Sequence, residues 1–101
     1  MEIIKNVIDD VCEIKLVGRL DTTTAPELET ALKEVLEAST KNLQIDLEQL
    51  DYISSAGLRV LLFAQKGISS LEGEMLIKNV KPEIMEVFEI TGFSDILTIE
   101  K

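Results

Sequence analysis

The sequence predicts an α/β domain: a mixed central sheet of four to five strands packed against three main helices, in the order β-β-α-β-α-β-α-β. Three observations carry this expectation. Two apolar runs at the N-terminus are separated only by Asp9-Asp10, a connection so short that the strands must pair antiparallel. Further on, segments of strand period alternate with segments of helical period, the pattern of parallel strands joined by right-handed crossovers. Hydrophobic residues make up 46% of the 101, enough to bury one core and define a single domain over residues 1–101.

The first strand is expected over residues 2–8 and the second over residues 11–17. In the second, Cys12, Ile14 and Leu16 alternate with Glu13 and Lys15, which points Cys12 at the core as a structural thiol. A lone cysteine can form no internal disulfide. Gly18 is expected to break this strand, with Arg19-Leu20-Asp21 crossing to a helix that starts at Thr24. Thr24 and Glu27 stand in the spacing of a capping box, and Pro26 is tolerated in the first turn because its missing N–H would be unpaired there anyway. Leu28, Ala31, Leu32, Val35 and Leu36 form the buried stripe, while Glu27, Glu29, Lys33, Glu34 and Glu37 face water. The run Thr22-Thr23-Thr24 reads as cap and turn.

Leu43, Ile45 and Leu47 alternate with Gln44 and Asp46, the signature of a third, half-buried strand. Beyond Leu50 the chain changes character to Asp51, Tyr52, Ile53, Ser54, Ser55, Ala56 and Gly57. A helical run over residues 58–71 follows, with Arg59 and Lys66 as its charges. A strand thus delivers the chain to a helix whose first turn carries only small residues. The N–H groups of that turn lack partners inside the helix, and the dipole adds partial positive charge. Such a place suits an anion, bound or made in situ. Serine is also a preferred N-cap, so one of Ser54 and Ser55 is expected to cap. Gly57, Val60, Leu61, Ala64, Ile68 and Leu71 share one wide apolar face. Gly57 either lets the helix start approach closely or leaves the backbone open to a partner. Gly67 costs about 1 kcal/mol relative to alanine at mid-helix, and so marks a close packing contact. Leu71-Glu72-Gly73-Glu74 turns into a fourth strand over residues 75–77. Asn79 to Pro82 is a loop, and Pro82 opens a third helix that ends at Gly92, with Ile84, Val87, Phe88 and Thr91 inward. Residues 96–99 are expected as a short last strand.

Composition narrows the chemistry. Nineteen acids against ten bases give a net charge of −9, which repels phosphate backbones and anionic lipid. Nucleic acid and membrane are therefore not expected partners, and a basic protein patch suits this surface. The N-terminus has no signal-peptide pattern and no run reaches the roughly 18–20 apolar residues of a membrane span, so a cytoplasmic protein is expected. Histidine is absent, which removes Ser-His-Asp and Cys-His catalysis and the usual transition-metal ligand. Serines with Lys66 or Lys78, or the carboxylates of Asp21, Asp46 and Asp51, are not spaced as nucleophile and base. No Gly-x-x-x-x-Gly-Lys run occurs. The expectation is a protein without catalytic residues, metal or cofactor.

The stretch Leu47, Asp51-Tyr52-Ile53-Ser54-Ser55-Ala56-Gly57-Leu58 resembles the signature of the STAS domain of anti-sigma factor antagonists. In that family a strand leads to a turn ending Asp-Ser-(Ser/Thr)-Gly-Leu, whose first serine is the regulatory phosphorylation site. Gly18-Arg19-Leu20-Asp21 is similar to the family's segment after its second strand, and Thr91-Gly92-Phe93 with residues 96–99 to its last helix and strand. Ser54 stands where the family has an acidic residue. The resemblance implies a STAS-like fold and phosphorylation of Ser55, with Ser54 the second candidate. It implies partner binding through Asp21, Thr22, Asp51, Ser54, Ala56, Gly57 and Arg59, with Arg59 one turn beyond Ser55. The unphosphorylated domain would bind an anti-sigma factor of the serine kinase type and release its sigma factor. Phosphorylation would break that complex, a phosphatase would restore it, and the free domain would be a monomer. A rival of another kind is a STAS scaffold subunit in a larger sensory assembly.

Overall fold

The computed structural model describes residues 1–100. Its elements are β1 (Glu2–Ile8), β2 (Val11–Leu20), α1 (Ala25–Glu37), β3 (Asn42–Ile53), α2 (Ser55–Ser70), β4 (Glu74–Lys78) and α3 (Pro82–Thr91), followed by a single 3-10 turn, Phe93–Asp95. The four strands lie in the order β1-β2-β3-β4. β1 and β2 are antiparallel, from Glu2 opposite Val17 to Ile8 opposite Val11. β2 to β3 and β3 to β4 are parallel, each joined by a helical crossover. The mixed α/β architecture and the antiparallel N-terminal pair are as the sequence predicts.

Register stacks the apolar positions in layers. Cys12 lies beside Leu43 and Leu43 beside Met75; Ile14 lies beside Ile45 and Ile45 beside Ile77. All six are buried against the helices, with Leu28, Leu32, Leu61, Ala64, Ile68, Ile84 and Phe88. Burial pushes the Cys12 thiol above its usual range. The alternate positions form the other, solvent-facing side of the sheet. There Lys78 Nζ donates to Glu13 Oε2 at 2.6 Å and to Gln44 Oε1 at 3.0 Å, bridging three strands. The hydrogen bond to Glu13, and the nearby charges of Glu13, Asp46 and Glu100, raise the Lys78 pKa against the cost of burial.

Several boundaries differ from the sequence expectation, each for a physical reason. Gly18 does not end β2: at φ +107° it turns the chain within a strand that runs on to Leu20. β3 is twelve residues long rather than five, because two irregularities interrupt its alternation. Lys15 pairs with Asp46 but Val17 with Gln49, and Gly18 pairs with Leu50 but Arg19 with Tyr52. Each extra residue moves the buried side on by one, so Leu43, Ile45, Leu47, Leu50 and Ile53 all face the core. Thr24 forms no capping box with Glu27, since its side chain makes no cap hydrogen bond to the helix. Thr91 is exposed, its hydroxyl donating to Val87 O at 2.7 Å. The segment 96–99 is no fifth strand. After the 3-10 turn it reaches the sheet only where Ile77 N–H donates to Thr98 O at 2.9 Å and Glu100 N–H to Ile77 O at 2.8 Å.

Two glycines of α2 make close contacts, the expected one at Gly67 and, of the two alternatives open at Gly57, the close approach. A Cβ on Gly67 would sit 2.5 Å from Leu36 Cδ1, which is the close α1–α2 approach expected there. A Cβ on Gly57 would sit 2.6 Å from Leu20 Cγ and 3.0 Å from Ile53 Cγ1. Gly57 is thus the residue that seats α2 on the sheet.

Candidate functional site

Parallel strands with crossovers on one side bring the starts of α1 and α2 to the same end of the sheet. That end is stitched together: Ser54 N–H donates to Leu20 O at 2.9 Å, and the Thr24 hydroxyl donates to Arg19 O at 2.8 Å. The starts of the two helices are thereby tied to the end of β2.

The two start differently. Ahead of α1, Asp21 orders the entering turn: its Oδ1 accepts from Thr23 N–H and Thr24 N–H, both at 3.0 Å, and its carbonyl from Ala25 N–H at 2.8 Å. The Thr24 amide, then the Thr23 amide and the Thr24 hydroxyl, with Arg19 as the smallest contributor, hold the Asp21 carboxyl below its usual range despite some desolvation. At α2 the cap is Ser54. Its backbone is extended (φ −100°, ψ 173°), its Oγ accepts from Gly57 N–H at 3.3 Å, and its carbonyl accepts from Leu58 N–H at 3.0 Å. Ser55, the first helical residue, is exposed, and its hydroxyl has no hydrogen-bond partner among the described residues. The N–H groups of Ser55 and Ala56 likewise lack a protein acceptor. The structure therefore gives the two adjacent serines different roles: one caps, and the other presents a free hydroxyl.

Between the helix starts runs a shallow groove of about 260 Å³ lined by Thr22, Ala25, Pro26, Glu29, Ala56, Arg59 and Val60. Of the residues singled out in the sequence, Thr22, Ala56 and Arg59 meet there. Ser54 and Ser55 stand at the head of the same helix. Asp21 turns its carboxylate onto the Thr23 and Thr24 amides just before α1. Asp51 is exposed and accepts from Lys81 Nζ at 2.8 Å, at the N-terminus of α3. Gly57 faces inward. Two further residues belong to this end: Arg19 is exposed, and its guanidinium lies 4.3 Å from the centre of the Tyr52 ring. The sequence signal for this pair is weak, since it depends on the second β3 irregularity, which sets Tyr52 opposite Arg19. Among the described residues no cluster of side chains could hold a metal ion, and no helix is long and apolar enough to cross a membrane.

The STAS domain profile matches residues 2–101. The chain belongs to the STAS domain family. Among curated proteins this STAS domain is 36% identical to BtrV of Bordetella bronchiseptica, a candidate anti-sigma factor antagonist, over 98% of this chain and 85% of that protein. It is 32% identical to the anti-sigma-B factor antagonist of Staphylococcus aureus, over 92% of this chain and 86% of that one. Among solved structures its fold is that of SpoIIAA, an anti-sigma factor antagonist known in an unphosphorylated and a phosphorylated form. The TM-scores are 0.79 and 0.77 at 16% identity, covering 99% of this chain and 88% and 92% of the SpoIIAA chains.

Proposed function

We propose that this STAS domain is an anti-sigma factor antagonist, switched by phosphorylation of Ser55. The unphosphorylated domain binds a serine-kinase anti-sigma factor in the cytoplasm as a monomer and frees the sigma factor, without catalysis of its own. The kinase phosphorylates Ser55 and ends the complex; a phosphatase resets it. The observation that carries this reading is the division of labour at α2. Ser54 supplies the cap, so modification of the exposed Ser55 hydroxyl removes no hydrogen bond from the fold. The switch can act on the partner without unfolding the domain.

Electrostatics favour the same serine. A phosphate there adds about −1.5 to −2 charge beside the unpaired Ser55 and Ala56 amides, which a helix N-terminus is built to hold. Arg59, one turn on, can screen it. On a chain of net charge −9, the added charge falls on a surface already hostile to anions, and a partner fitted to a neutral hydroxyl is repelled. An unpaired interfacial charge costs about 2–5 kcal/mol, so phosphorylation should weaken binding by at least ~30-fold.

The test uses the purified kinase-type anti-sigma factor of the same organism. Incubation with ATP should add one phosphate, and phosphopeptide sequencing should place it at Ser55. Ser55→Ala should bind like the wild type, and Ser55→Asp should bind more weakly, though less so than the phosphorylated form. A phosphate solely on Ser54 or on Thr22 to Thr24, or equal affinity for all forms, would overturn the reading.

A further inference from the structure

We infer that Arg19, held over the Tyr52 ring, is the guanidinium that receives a carboxylate from the binding partner, and that this pair sets which partner is accepted. The inference rests on the antagonist reading above and names the chemistry by which the same end of the domain selects its partner. Both arginines of the chain and its one tyrosine sit at this end, where the one ion-paired lysine among the described residues, Lys81, is taken by Asp51. Arginine and tyrosine are, with tryptophan, the side chains enriched where binding energy concentrates at protein interfaces.

The backbone keeps Arg19 free. Gly18 pairs with Leu50, so an unbroken register would set Arg19 opposite Asp51, a ready carboxylate. The extra residue in β3 sets Tyr52 there instead. Asp51 is carried away to Lys81, with Nζ and Oδ1 2.8 Å apart. The next candidate, Asp21, is held by its Oδ1 on the Thr23 and Thr24 amides and feels Arg19 only as a nearby charge, the weakest influence on its pKa. Arg19 makes no ion pair within 4.0 Å among the described residues, although the chain has 19 acids. It rests at 4.3 Å on a ring that is 40% exposed. No side chain among the described residues takes its N–H groups, so the fork that fits a carboxylate in two parallel hydrogen bonds stays available. The stack also fixes the long side chain beforehand, which lowers the entropy lost on binding. The backbone beneath is held too, since Arg19 O accepts from Thr24 Oγ1 at 2.8 Å.

Titration of the purified serine-kinase anti-sigma factor with variants tests the inference. Arg19→Ala should weaken binding at least ~30-fold, the scale of a hot-spot loss, and flatten the salt dependence of the association rate. Arg19→Lys keeps the charge but not the fork or the stack, and should still lose about 5-fold or more. Tyr52→Phe keeps the ring and should bind within about 3-fold of the wild type, whereas Tyr52→Ala should lose about 10-fold. The double variant Arg19→Ala/Tyr52→Ala should be little worse than Arg19→Ala alone, because the ring acts through the arginine. Thermal melts of every variant check that the fold is kept, so a loss in Arg19→Lys cannot be ascribed to unfolding. Binding of Arg19→Ala within 3-fold of the wild type would overturn this inference and leave the antagonist reading standing. A wild type that does not bind the factor at all would overturn both.

Discussion

Replacing Gly57 by alanine sets two effects of opposite sign against each other at the start of α2. Alanine is favoured over glycine in a helix by at most about 1 kcal/mol. Against that, the new methyl would lie 2.6 Å from Leu20 Cγ, 2.9 Å from Leu20 Cδ2 and 3.0 Å from Ile53 Cγ1. Real carbon contacts do not come so close, so something must move. Neither neighbour is a loose end: Leu20 is fully buried at the end of β2, and Ile53 is 5% exposed. Relief would require α2 to lift from the sheet, straining the hydrogen bond from Ser54 N–H to Leu20 O at 2.9 Å. Overpacking of this kind costs about 1–3 kcal/mol. The expected net loss is about 1–2 kcal/mol, a fall in Tm of roughly 5–15 °C for a chain of this size. Thermal unfolding followed by circular dichroism reads it directly, with Gly67→Ala as the control. There the methyl meets the outer carbons of Leu36, a half-buried side chain that can turn aside, so the Tm should change by only a few degrees. A Gly57→Ala variant as stable as the wild type would show that the α2 start is not seated by this contact.

Two further outcomes follow from the helix starts. Ser54→Ala should lower stability by about 0.5–2 kcal/mol through loss of the cap, while Ser55→Ala should leave the denaturation midpoint nearly unchanged; equal losses at both would refute the assignment of cap and free hydroxyl. Asp21, whose pKa is lowered in the folded chain by the Thr24 amide first, stabilises the fold above the ordinary carboxylate pKa of about 3.9, and that contribution is lost as pH falls through the lowered folded value. Asp21→Ala should therefore melt below the wild type at pH 7, and the gap should close as pH is brought below about 4; a gap that persists at low pH would place the effect elsewhere.

The sequence determined the fold class on its own, because periodicity reports burial residue by residue. Cys12, Ile14 and Leu16 declare a strand with one buried face, and Leu28, Leu32 and Val35 a helix with one buried stripe, whatever their partners. It also located the α2 start, where small residues and a change of period coincide. It could not say where β3 ends. Bulges are a relation between two strands, and the second strand is not written in the first; at Asp51 the shift is visible only beside Gly18 and Arg19. The same holds for the serines. Ser54 and Ser55 have the same chemistry and differ only in backbone angle, which is fixed when Leu20 O takes the Ser54 N–H. The capping box read at Thr24 failed for a related cause: Asp21 Oδ1 takes the Thr24 N–H that Glu27 would have held, and the Thr24 hydroxyl is turned to Arg19 O. The tertiary structure alone decided that Gly57 packs inward, that Asp51 goes to Lys81, and that Arg19 is left on Tyr52. Each of these depends on distances between segments remote in the chain, which no local pattern records.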